Sequence, residues 1–272
     1  LHMKDSEAEW VCEYTTNDNY RKVEMKPVFA KSFADKLLFN NASKILMMSA
    51  TILDVNVVCR SLGIDREDVA AYRVKNRFPV ENRPIKLLDT AKMTGGKSKM
   101  HEWGPKLVKQ VNKLVRDHSD QKGIIHTHNF AIMNLILNEC DKDVKKRLLN
   151  QRDFNNDKKA LLKAHAENNS DSVIIAPAMH EGIDLKDDLS RFQIICKIPY
   201  ANCFDNEQLA RRVEVDRRYY VWLTALKLVQ SYGRSVRSED DHAITYILDE
   251  SIHKFLRDAG NMMPTWFTEA IC

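Results

Sequence analysis

Apolar and polar positions follow two regimes along this chain. Up to about residue 84 the pattern is irregular. WVCEYT (10–15) and KVEMKP (22–27) read as strands around a polar Asn-Asp-Asn turn at 17–19. FAKSFADKLLF (29–39) reads as a short helix, and KILMMSAT (44–51) as a buried strand ending in small polar residues. Asp54 to Leu62 has helical spacing, with Gly63 at the C-cap. Residues 73–84 hold two prolines and no period.

From Ile85 the pattern becomes regular. IKLLDT (85–90), GIIHTH (123–128), SVIIAPA (172–178), FQIICKIP (192–199) and AITYILDE (243–250) are apolar strands. Between them lie amphipathic helices. The first is expected to begin at Pro105, since proline is best tolerated at the first helical position, and it carries Leu107, Val111, Leu114 and Val115 on one face. FAIMNLILNEC (130–140) and KKALLKAHAEN (158–168) follow as helices. Residues 141–157 are polar and expected at the surface, 206–237 are mostly helical, and SIHKFLRDAG (251–260) is the last helix. Continuous apolar strands alternating with helices predict an α/β fold, with a parallel sheet covered on both faces.

Composition adds limits rather than identity. Hydrophobic residues make up 44% and charged residues 29%, the balance of a globular protein. No apolar run is long enough to span a bilayer, so no membrane partner is expected. The six Cys, with no C-x-x-C pair, read as free thiols of a reducing, intracellular compartment. His126 and His128 share a strand face without further ligands at metal spacing, so no metal is expected in this chain. A net charge of +4 permits a nucleic-acid partner without requiring one. Leu1-His2-Met3 reads as a cloning remnant, with Lys4 internal to a longer protein.

Two patterns suggest nucleotide chemistry of the P-loop kind. AKMTGGKS (91–98) has the outline of a phosphate loop, and ITYILDE (244–250) that of a Mg²⁺-binding strand. A phosphate loop must run from a strand straight into a helix. With the helix expected only at Pro105, Gly-Lys-Ser is left in a polar loop. A self-contained P-loop ATPase using 91–98 is the alternative reading, and a non-catalytic interaction domain is another.

A third constellation carries more. In QSYGRSVRSEDD (230–241), Gln230, Arg234 and Arg237 are spaced to share one helix face, and forked guanidinium groups suit phosphate oxygens. Gly233 would allow close approach of a ligand or backbone. Upstream, IIAPAMHEGIDL (174–185) is a strand running into Glu181-Gly182-Ile183-Asp184, in the crevice position of open α/β sheets. MMSAT and GIIHTHN end in small polar residues in the same way.

Taken in order, MSAT, GIIHTHN, MHEGIDL and QSYGRSVR resemble motifs III, IV, V and VI of XPD/DinG-type superfamily 2 DNA helicases, which serve DNA repair. The likeness runs from about residue 23 to 256. It implies a RecA-like second motor domain over 53–272, with the C-terminal end of the first motor domain at 1–52. The resemblance implies that Arg234 and Arg237 act as arginine fingers and that Gln230 contacts the same ATP. It assigns Asp184, Gly182, Glu181 and Gly233 to the nucleotide site. Thr127, His128, Asn129, Met179 and His180 would belong to a single-stranded DNA track. ATP and Mg²⁺ would be bound by the full-length protein, and an iron–sulfur cluster, where the family has one, lies in the first domain. The fragment alone is expected to be inactive, monomeric, and cytoplasmic, or nucleoid-associated when on DNA. The chain departs from the family at Asp241-His242-Ala243, where Asp-x-Gly is common, and at His180, where an aromatic is common.

Overall fold

A computed structural model describes residues 8–16, 20–94, 96–168, 171–179 and 183–272. The expected turn at 17–19 lies outside them. The chain forms two compact units, one from residues 1–74 and 200–226, the other from 75–199 and 227–272.

In the first unit, β1 (Trp10–Thr16) and β2 (Arg21–Pro27) pair antiparallel. Helix Val55–Leu62 is capped by Asp54, whose Oδ1 accepts from the backbone N–H of Asn56 and Val57. The helix ends at Gly63, as expected. Gly63 has φ 69°, and a Cβ there would lie 2.9 Å from the Cβ of Lys31. Residues 206–237 are not one helix. Glu207–Val215 and Arg217–Tyr232 are separated by Asp216, which is extended and accepts from the Arg218 N–H. Arg212 donates to the Tyr219 hydroxyl at 2.9 Å, Arg218 pairs with Asp54 at 2.7 Å, and Tyr219 is buried.

KILMMSAT is not a buried strand. Residues 45–49 have no regular structure, and Leu46 and Met48 are each 82% exposed. A strand needs a neighbour to take its backbone hydrogen bonds, and among the described residues none pairs with it.

The second unit is built on six parallel strands: β3 (Ile85–Ala91), β4 (Gly123–His126), β5 (Leu148–Leu149), β6 (Val173–Ala176), β7 (Phe192–Ile195) and β8 (Ile244–Asp249), in the order β3-β8-β7-β4-β6-β5. Every position of β4, β6 and β7 is buried, so their apolar runs serve both faces. Ile125, Ile175 and Ile194 meet helices Met100–Asp117 and Phe130–Glu139, whereas Ile124 and Ile174 meet Leu161 of helix Lys158–Glu167. The predicted α/β class and parallel sheet hold. Edge strand β5 falls inside the segment read as polar surface, because two residues are too few to show a period. Gly123 starts β4 because a Cβ there would come within 2.7 Å of the Phe192 carbonyl oxygen.

Helix Met100–Asp117 begins five residues before Pro105. Trp103 is buried and its indole N–H reaches the Thr94 carbonyl at 3.3 Å. Burying that large ring offsets the helix hydrogen bond that Pro105 cannot donate. The six cysteines are free.

His165 is wholly buried. Its Nε2–H donates to the Leu189 carbonyl at 2.8 Å, and Nδ1 accepts from the Ser172 hydroxyl at 3.0 Å. Burial lowers its pKa below the usual value. The Leu189 bond opposes this and Lys122 reinforces it. The unfolded chain therefore takes up a proton here at a pH where the folded chain does not. Stability is full above the ordinary His pKa of about 6.5 and falls as the pH drops toward the folded value. We expect urea unfolding to show a smaller loss of stability between pH 7.5 and 5.5 in His165→Gln than in the wild type. Equal pH dependence in the two would show that His165 is not responsible.

Candidate functional site

The constellation at 230–241 does not lie on one helix face. The helix stops at Tyr232, and Arg234 and Arg237 belong to the loop that follows. The stop has a physical cause. The Tyr232 hydroxyl donates to the Arg83 carbonyl at 2.6 Å, its own carbonyl accepts from Gln193 Nε2 at 2.7 Å, and its ring packs on Trp266 and Phe267. The chain is pinned to the sheet there and turns away.

The loop still brings the predicted groups together. Arg234 donates from Nε to the Gln230 carbonyl at 2.8 Å and from Nη1 to the Ile183 carbonyl at 3.0 Å. Arg237 donates from Nε to Asp184 Oδ1 at 2.7 Å and from Nη1 to the Gly233 carbonyl at 3.2 Å. Both arginines thus reach back to helix-end carbonyls, where positive charge is favoured. Arg237 and Asp184 are exposed, while Arg234 is half-buried. The Gln230 Oε1 is buried with no hydrogen-bond partner among the described residues. A Cβ on Gly233 would meet only carbonyls of its own helix, at 3.4 Å and beyond, so among the described residues no other segment crowds it. Glu181, Gly182 and His180 lie outside the described residues.

Asp241 holds this loop in place. It is buried, and its carboxylate accepts from Arg191 Nη1 at 2.9 Å and from the backbone N–H groups of Asp187, Arg237 and His242 at 3.2, 3.1 and 2.9 Å. Ser235 and Ser190, both buried, share a 2.7 Å hydrogen bond. The loop is therefore fastened beside the amino ends of β7 and β8. The crevice beyond the carboxyl ends, expected for Asp184, is not where its arginine partner sits. Sequence reasoning missed Asp241 and Arg191. Burial of the last aspartate of RSEDD leaves no mark in the pattern of apolar and polar positions.

Of the residues expected in a DNA track, Thr127, His128 and Asn129 follow β4 and Met179 follows β6. Thr127 is fully buried and donates to the Asn129 carbonyl at 3.1 Å. Asn129 Oδ1 caps helix Phe130–Glu139 by accepting from the N–H of Ala131 and Ile132. His128 is left-handed with φ 52°, stacks on His126 at 5.9 Å, and lies 3.3 Å from the Ser231 hydroxyl. Met179 is buried. Of this set, His128 and Asn129 reach solvent and Thr127 does not.

In AKMTGGKS the early start of the helix removes the objection raised from Pro105. Residues 96–99 form a 3-10 turn leading straight into Met100. Two N–H groups at the start of the loop are already engaged. The Met93 N–H donates to Asp249 Oδ1 at 3.3 Å, and the Thr94 N–H to the Lys92 carbonyl at 2.9 Å. Met93 is itself buried. A phosphate cradle needs such N–H groups turned toward the ligand. Asp249, the supposed Mg²⁺ ligand, also accepts from the N–H of Ser251 and Ile198, at 3.0 and 3.1 Å. It ties β3, β7 and β8 together. Among the described residues, no group of three or more His, Cys, Asp or Glu is placed to hold a metal.

The profile of the helicase C-terminal domain family matches residues 113–270, more than half of the chain. The chain belongs to that family. It is 24% identical to the ATP-dependent DNA helicase DinG of Photobacterium profundum, over 90% of this chain and 37% of that protein. It is 30% identical to the ATP-dependent DNA helicase CHL1 of Candida albicans, over 28% of this chain and 11% of that one. The chain thus spans well under half the length of these relatives. Two solved structures share the fold: XPD_Helicase (TM-score 0.64, 16% identity, 88% of this chain and 44% of that one) and XPD_APO (TM-score 0.63, 18% identity, 88% and 50%). The resemblance to XPD/DinG-type helicase C-terminal domains, drawn from motifs, therefore holds. Among the described residues no helix is long and apolar enough to cross a membrane.

Asp249→Asn places an amide N–H₂ where N–H donors converge and should lower stability by about 1–3 kcal/mol in urea unfolding. Lys97→Ala should leave ATP affinity of the full-length protein unchanged by calorimetry. Loss of ATP binding in Lys97→Ala would restore the P-loop reading.

Proposed function

We propose that this chain is the motor-domain fragment of an ATP-dependent DNA helicase, with residues 53–272 as the second RecA-like domain and 1–52 as the end of the first. The observation that carries the reading is the meeting of Arg237 with Asp184, and of Arg234 with the Ile183 carbonyl, on two segments fastened by Asp241. Exposed Leu46 and Met48 fit a strand of the first domain that finds its partners elsewhere in the full-length protein. ATP and Mg²⁺ would be held mainly by that first domain, and this fragment alone would not hydrolyse ATP. The protein would act inside the cell, as a monomer, on single-stranded DNA.

ATP hydrolysis spreads negative charge over the transferring phosphoryl group, which planar guanidinium groups stabilise. Arg237 is the more available finger. Its Nε is held by one exposed carboxylate, and an incoming phosphate can replace Asp184 as its partner with little desolvation. Arg234, half-buried and bonded to two backbone carbonyls, orients the loop and needs a larger adjustment to reach a ligand. Gln230, whose carbonyl holds the Arg234 Nε, would contact the same ATP. His128 and Asn129 would touch the strand, and Thr127 would support their turn. Against the P-loop alternative stand the Met93 and Thr94 N–H groups, which are spent on Asp249 and the Lys92 carbonyl.

The test is DNA-stimulated ATPase of the full-length protein. A finger acts in the transition state, so Arg237→Lys should lower kcat by on the order of 100-fold or more while KM for ATP changes little. Lysine keeps the charge and loses the fork, so it should not rescue. Arg234→Lys should lose activity too, with a measurable fall in melting temperature from its backbone bonds. Near wild-type turnover in both variants would remove the arginines from the ATP site.

A further inference from the structure

Away from the arginine loop, a cleft of about 200 Å³ opens in the second unit, beside the carboxyl ends of β4 and β6. Its floor is apolar: Met133, Ile175, Ala176 and Met179 are all at most 2% exposed. Phe130 stands at its edge, 59% exposed although it opens a helix. The Arg152 guanidinium lies over that ring, 5.4 Å from its centroid, and is braced by Asn134 at 2.9 Å. Gln151 and Asn156 line the wall, and the Gln151 amide donates to the Asn156 carbonyl, leaving its Oε1 and a second N–H for a ligand. Asn155 and Asn156 both adopt positive φ, 52° and 63°, so the rim is a tight turn. Lys158 and Lys159 follow it directly in the chain.

An exposed aromatic ring and a planar cation over an apolar floor, with amides on the wall, are the chemistry of a base-stacking platform. A purely lipidic group would leave the amides and guanidinium unmatched. We propose that this cleft is a subsite for one unstacked nucleobase of a single strand, with Phe130 as the stacking platform, Arg152 holding the ring and meeting the backbone charge, and Gln151 and Asn156 bonding the base edge. The proposal rests on the strand-binding reading above and adds a base contact to it. Stacking is tolerant of base identity, so the Phe130 platform itself accepts any base.

The test compares full-length wild type with Phe130→Ala and Phe130→Leu, by anisotropy, on three probes: a labelled oligothymidylate, an abasic strand of equal length, and free thymidine monophosphate. One stacked base is worth roughly 1–3 kcal/mol, about 5- to 150-fold. Phe130→Ala should weaken oligothymidylate binding within that range and leave the abasic strand unaffected, with the same salt slope on both. Phe130→Leu should lose nearly as much, since it keeps apolar bulk and loses the ring. Because Phe130 is largely exposed, melting temperatures should match. A strand carrying 5-iododeoxyuridine should cross-link to the peptide containing Phe130. Equal losses on intact and abasic strands, or salt-dependent wild-type binding with no loss in the variants, would overturn the base subsite and leave the strand reading standing. Absence of wild-type binding to either strand would overturn both. Binding of thymidine monophosphate as tight as that of the strand would assign the cleft to a free nucleotide and overturn the strand subsite.

Discussion

The carboxylate of Asp241 accepts from four donors while buried, and the geometry of the arginine loop depends on it. A buried carboxylate is tolerated only when its charge is balanced and its lone pairs are filled. Arg191 supplies the charge, and the backbone N–H groups of Asp187, Arg237 and His242 supply the rest. Two of those N–H groups come from different loops. Filling the carboxylate's needs therefore forces the 183–191 and 233–242 segments together, and Arg237 meets Asp184 as a result. Asp187 even takes φ 57°, a costly value for a residue with a Cβ, so that its N–H can point at Asp241.

Asp249 shows the same logic at the other end of β8. Its three N–H donors come from the segments that end β3, β7 and β8. Parallel strands leave backbone groups unpaired where they stop, and a carboxylate at that point satisfies several at once. The strand resembles a metal-binding one because both uses require an aspartate at the end of an apolar run. What differs is whether the oxygens face solvent or backbone.

Opposite charge placed on the two loops gives the proposed ATP site a resting state. The Arg237 and Asp184 pair is exposed, so the Coulomb energy that holds it is small, and exchange for a stronger anion is easy. Arg234 is tied to the backbone and keeps the loop in shape during such an exchange. The cleft near Phe130 uses different forces. Its apolar floor and exposed ring favour contact area over charge, as suits a partner whose sequence varies.

The sequence by itself determined the α/β class, five of the six parallel strands, the C-cap at Gly63, and the four motifs in their order. Those are local properties: strand period, cap chemistry and short-range spacing. Tertiary structure decided the rest. Helix Met100–Asp117 crosses the boundary that Pro105 suggests because Trp103 finds a core to fill. The helix before Gly233 ends at Tyr232, short of the arginines, because that ring and hydroxyl are pinned by Trp266, Phe267 and Arg83. KILMMSAT has the composition of a buried strand, yet pairing needs a neighbouring chain segment that its own residues cannot supply. Whether Asp241, Asp249 or Thr127 faces solvent depends on which donors the fold brings near, from residues up to 156 positions away in the chain. No pattern of apolar and polar positions carries that information, because it resides in contacts between segments rather than within them.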